Sequence, residues 1–142
     1  MKAGYIDSSF LLSLLLCDGN YELSIEIWNS LDIHLGSVLL EIECRINLFK
    51  YCLQLKKDKA LYKEKEEELT EILKGINRKD INSEIALEIK SYERLKQLKS
   101  LDSIHIATAN IYKKLIKEKL LVCSYDKNMK RIAKELGMEI LG

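Results

Sequence analysis

Residues 120–141, LLVCSYDKNMKRIAKELGMEIL, decide the fold. The apolar run 120–124 is short and reads as a buried strand, with Asp126 just past its end. Residues 127–136 have helical spacing, and 138–141 return to a strand. The beginning of the chain has the same grammar: 3–7 (AGYID) is a short strand ending in an acid. Residues 8–16 follow as a helix whose first turn Ser8 or Asp7 can cap.

Outward from these ends, 17–20 is a turn and 21–31 a helix through Leu23, Ile27, Trp28 and Leu31. A second strand is expected at 33–36. From Ser37 a helical pattern runs to about residue 55 through Leu40, Cys44, Leu48, Tyr51 and Leu55. The charged stretch 56–75, KKDKALYKEKEEELTEILKG, continues it as the wet side of a projecting hairpin. A very short strand is expected at 79–82. A helix after Ser83 runs through Ile85, Ile89, Tyr92 and Leu95, and another opens at Ser100-Leu101-Asp102 and packs through Ile104, Ala107, Ile111 and Leu115. Short apolar strands separated by longer helices predict a three-layer α/β/α sandwich with a mostly parallel central sheet. With no Pro, six Gly and no repeat or linker, 1–142 reads as a single domain.

Hydrophobic residues make up 47 % and charged residues 32 % of the 142, a balance that excludes an extended disordered chain. No apolar run approaches the ~18 residues of a membrane span. The first apolar run is approached through Asp7 and followed by no small-residue cleavage site, so a cytoplasmic protein is expected rather than a secreted one. Cys17, Cys44, Cys52 and Cys123 form no C-x-x-C pair and are expected to be buried, reduced thiols. The formal net charge is only +1, yet it is unevenly spread. Residues 1–43 hold seven acids against Lys2, and 90–134 hold twelve bases against four acids. A basic face for a polyanion and a set of solvated lysine helices both fit that count.

Chemistry in parallel sheets collects beyond the carboxyl ends of the strands. Asp7 and Asp126 lie there, Asp102 lies at a helix start, and Glu43 lies one to two turns into the helix after the second strand. Four acids with few bases nearby in sequence call for a neutralising cation, and Mg²⁺ or Mn²⁺ suits hard oxygen ligands. Each acid alone also fits a helix cap, a loop or a surface position. Periodicity leaves both readings open.

Asp7 in YIDSSFLL, Asp102 in LDSIHIATA, and Ser124 and Asp126 in CSYDKNMKRIAKELGMEI resemble the PIN domain family, in particular its small toxin ribonucleases of the VapC type. The resemblance runs from residue 3 to residue 141. The family's second acid follows a Ser or Thr by about six residues, which matches Glu43 after Ser37; Glu41, two positions away, points to the opposite side of the helix. The resemblance implies a Mg²⁺- or Mn²⁺-dependent endoribonuclease, with a metal-activated water leaving 5′-phosphate and 3′-hydroxyl ends. It implies that Asp7, Glu43, Asp102 and Asp126 hold the metal, with Asp7 and Asp102 central, Ser124 orienting the shell and Ser8 near the phosphate. It also implies an RNA substrate, an antitoxin protein on hydrophobic grooves, and a homodimer.

Other residues have plainer roles. His105, between Ile104 and Ile106, reads as a structural histidine rather than a general base, and His34 has no partner for a zinc pair. Trp28 reads as helix packing, with an antitoxin contact as its other use. Lys127, Lys130, Arg131 and Lys134 recur along one helix and suit either RNA phosphates or solvent. Competing functions are an RNA-processing PIN nuclease without an antitoxin, a catalytically silent scaffold binding RNA or protein, and an Asp-phosphorylated regulator. The regulator lacks a convincing lysine after a late strand.

Overall fold

In the computed structural model, which describes residues 1–141, five strands form one sheet. They are β1 (Ala3–Ile6), β2 (Ile33–Ser37), β3 (Asn77–Lys79), β4 (Leu120–Cys123) and β5 (Glu139–Ile140), in the order β3-β2-β1-β4-β5. Every pairing is parallel, so the sheet is wholly rather than mostly so. Seven α-helices join them: α1 (Ser8–Leu16), α2 (Tyr21–Ser30), α3 (Val38–Phe49), α4 (Lys59–Leu73), α5 (Ser83–Ser91), α6 (Ser100–Leu115) and α7 (Lys127–Glu135).

Alternation along the buried strands makes two cores. Tyr5, Leu120 and Val122 face Ile85, Ile106, Ala107 and Ile132 of the layer built by α5, α6 and α7. Ile6, Leu121 and Cys123 face Phe10, Leu11, Leu40, Cys44 and Leu69 of α1, α3 and α4. On β1, Gly4 is closely packed: a Cβ there would lie 2.5 Å from Cδ1 of Leu31, so that side chain would have to shift.

The chain leaves β1 for β2 and β3 on one side, then returns for β4 and β5 on the other. Such a switch opens a crevice at the carboxyl ends of the two diverging strands, here β1 and β4.

Several boundaries differ from the periodic reading. The helix expected over 37–55 stays α-helical only to Phe49 and finishes as a π-helical turn, Lys50–Leu55. The chain then breaks at Lys57, which has φ +53°, and Asp58 starts α4 by accepting the N–H of Leu61 at 2.9 Å. Residues 56–75 therefore hold a separate helix. β3 lies at 77–79 and not at 79–82, because Asn82 caps α5 by accepting the N–H of Glu84. The expected helix through Leu95 is interrupted at Tyr92, which is extended and leads into a 3₁₀ turn, Glu93–Gln97. Cys44, Cys52 and Cys123 are buried, but Cys17 is exposed in the left-handed position that ends α1. No helix among the described residues is long and apolar enough to cross a membrane.

Candidate active site

Asp7 is the first residue beyond β1, and it is 2 % exposed. Its Oδ1 accepts the N–H of Phe10 at 2.9 Å, so the acid itself, and not Ser8, caps α1. The Ser9 hydroxyl donates to Oδ1 at 2.8 Å and accepts the N–H of Tyr125 at 3.0 Å. Ser9 thus ties Asp7 to the loop after β4. The sequence reading placed a hydroxyl role on Ser8; the signal for Ser9 was its position two after a capping acid, where a serine side chain folds back on the cap.

That loop supplies Ser124 and Asp126. Ser124 is fully buried, and its Oγ accepts the N–H of Asp126 at 3.0 Å. Asp126 caps α7 through Oδ1, which accepts the N–H of Met129 at 2.9 Å.

Glu43 comes from α3, where Cys44 and Leu48 face the core and Ile42 and Ile46 face solvent. Its Oε1 accepts from Nε2 of His105 at 2.5 Å, and Nδ1 of the same ring lies 2.7 Å from the Tyr5 hydroxyl. The alternative acid, Glu41, is on the other side, paired with Arg45 at 2.7 Å and Arg78 at 2.5 Å.

Asp102 lies in the first turn of α6 and is not its cap; that position is Lys99. It makes no hydrogen bond or ion pair among the described residues. Burial raises its pKa, and the negative charges of Asp126 and Glu43 raise it further, against His105 and Lys99. Burial also pushes the Asp7 carboxyl up, countered by the Ser124 hydroxyl, the Phe10 N–H, His105 and the Ser9 hydroxyl. Acids distant in sequence therefore act on one another across the crevice.

Among the described residues, no three His, Cys, Asp or Glu side chains stand close enough together to enclose an ion. The acids share a field without forming a closed cage. Their chemistry is that of hard oxygen donors, since both His105 nitrogens are already bonded. Mg²⁺ commonly takes one or two carboxylates and keeps several waters, so an open carboxylate set of this kind fits it.

The carboxylates of Asp7 and Asp126 follow β1 and β4, at the carboxyl-end switch point of a wholly parallel sheet, which is where open α/β sheets bind ligands. A family model for the PIN domain matches residues 4–135, and the chain belongs to that family of nucleases. No curated protein matches it.

Proposed function

We propose that this chain is a Mg²⁺- or Mn²⁺-dependent endoribonuclease, the toxin of a toxin–antitoxin pair, working in the cytoplasm as a single catalytic domain. The observation that carries the reading is Asp102: a part-buried acid with no bonded partner among the described residues, facing the charges of Asp126 and Glu43. That arrangement is costly unless a cation neutralises it.

Asp7 and Asp102 would be the central ligands of such an ion, with Glu43 and Asp126 completing the set. When bound, the divalent ion supplies Lewis-acid charge and a more acidic water. Asp7 is presented by its cap bond and by Ser9, which fix its carboxylate at the end of β1. Ser124 holds the start of α7, and so sets where Asp126 points. Lys127 is exposed beside Asp126, which supports a role in holding an RNA phosphate. In the hydrolysis, water oxygen bonds to phosphorus as the bond to the 3′ oxygen breaks; the 3′ oxygen gains the proton and the 5′ phosphate remains.

The partner reading is supported by a groove of about 620 Å³ between α2 and α4, which shares no residue with the acid cluster. Leu14, Ile25, Trp28 and Ile72 give it apolar walls, and Glu64, Glu67, Glu68 and Glu71 an acidic rim. Such a groove suits an amphipathic helix with basic flanks, the form in which an antitoxin segment docks. The exposed stripe Ile42, Ile46 and Phe49 on α3 supports a homodimer face.

Calorimetric titration with Mn²⁺ tests the centre, using wild type and Asp102→Asn after circular dichroism shows both folded. Binding by wild type that the variant loses, together with RNA cleavage that Asp7→Asn abolishes, is the expected result. Cleavage that persists in both variants rejects the mechanism. Growth arrest on expression separates a toxin from a processing nuclease that has no antitoxin.

A further inference from the structure

The mechanism leaves one buried polar chain unused. His105, 1 % exposed, lies between Tyr5, fully buried on β1, and Glu43 on α3. The Tyr5 and His105 rings meet edge to face at 5.8 Å. These are three elements of the fold joined by two hydrogen bonds, running from the core to the rim of the acid cluster.

The donor pattern follows from chemistry. A carboxylate only accepts, so Nε2 of His105 carries the hydrogen and donates to Glu43. A ring that carries only that hydrogen has a bare Nδ1, which accepts the hydroxyl hydrogen of Tyr5. Tyr5 in this way selects the tautomer, and the packed imidazole selects the orientation of Oε1. Glu43 needs such a hold. It has three rotatable side-chain bonds, it sits between solvent-facing Ile42 and Ile46, and the charge of Asp102 works to turn it away. Its Oε2 has no hydrogen-bond partner among the described residues and is left for a ligand.

We infer that the Tyr5–His105 pair is a positioning device which clamps one oxygen of Glu43 so that the other faces the crevice. The inference rests on the metal-centre reading above. His105 is then neither a metal ligand nor a base; it acts through Glu43.

The test is a double-mutant cycle on Mn²⁺ affinity with wild type, His105→Leu, Glu43→Gln and the double variant, each checked for folding. His105→Leu is expected to raise the Kd by ~10–100-fold, the usual cost of losing an outer-shell partner. In the Glu43→Gln background the same change should add nothing. His105→Gln, which keeps a donor near Nε2, should recover most of the affinity. Should His105→Leu fail to fold, Tyr5→Phe keeps the ring packing and removes only the hydroxyl; it is expected to weaken Mn²⁺ binding in the same direction. An unchanged Kd in a folded His105→Leu or Tyr5→Phe protein, or an equal loss in both backgrounds, overturns the positioning role. Nitrogen NMR of the metal-free protein reads the ring directly: a neutral Nε2–H tautomer is expected, and an Nδ1–H ring overturns the inference without reference to any metal. Wild type that binds no Mn²⁺ rejects the metal centre itself, whereas binding by wild type with no effect of His105 rejects only the positioning role.

Discussion

Asp102 shows what a single part-buried carboxyl contributes to the stability of the fold. Its folded pKa is raised by burial and by like charges, so its protonated form is the one the fold favours. A carboxyl raised in this way contributes most at pH below its unfolded value, and that contribution is lost as pH climbs through the folded value. In EDTA, Asp102→Asn is therefore expected to melt above wild type, by no more than a few degrees because solvent screens part of the repulsion. The gap should be wider at pH 8 than at pH 5, as read from thermal unfolding at both values. A variant that melts below wild type at pH 8 would show that the repulsion is unimportant. Of the acids, Asp7 and Asp126 were legible in the sequence because each follows a short apolar run. Glu43 over Glu41 was legible only through family spacing, because the arginines that occupy Glu41 include Arg78, far along the chain.

Between elements, α5 and α6 are locked by a buried polar knot. Glu88, 8 % exposed, accepts from Asn110 at 2.7 Å and from Lys114 at 2.8 Å, and the Lys114 ammonium lies 4.8 Å from the Tyr92 ring centre. Lys114→Met keeps the stem and leaves Glu88 facing Asn110 alone. Because the lysine is itself half exposed, the expected loss is ~1–2 kcal/mol, less than for a fully buried pair. Urea unfolding would measure it, and a loss below ~0.5 kcal/mol would reduce the pair to a surface contact. Hydrogen bonds that the Lys114 ammonium donates to Glu88 and Tyr92 raise its pKa. Its stabilisation is therefore complete at neutral pH and disappears only as pH rises through that elevated value. None of this was readable from helical periodicity, which ran one helix through Tyr92 to Leu95. The break there follows from the extended backbone of Tyr92, whose ring the Lys114 ammonium faces.

For the molecule as a whole, the excess of basic residues over 90–134 overstates the charge free to meet a polyanion. Lys113 donates to the carbonyl of Leu136 at 2.9 Å at the end of α7, beside Gly137, whose φ of +89° turns the chain. Lys114 is held by Glu88, and Lys130 donates to the carbonyl of Leu141 at 3.3 Å. Lys127 and Lys134 stay exposed on α7 without an ion pair among the described residues, and Lys127 adjoins Asp126. Lys127→Gln is expected to weaken binding of a labelled single-stranded RNA, measured by anisotropy in EDTA. It should also flatten the plot of log affinity against log salt by ~0.7, one phosphate contact. An unchanged slope would place the RNA path elsewhere.

Short apolar strands, acids just beyond them, and helices between them were determined by the sequence alone, because each depends on neighbours within a few residues. Near-continuous apolar strands require a sheet buried on both faces, and that requirement already selects a parallel α/β sandwich. The order β3-β2-β1-β4-β5 was decided only by the tertiary structure, and with it the crevice at the carboxyl ends of β1 and β4. The pairing of His105 with Tyr5 and Glu43 belongs to the same level. It joins residues 62 and 100 positions apart, a distance over which hydrophobic period carries no information and only strand order and packing do.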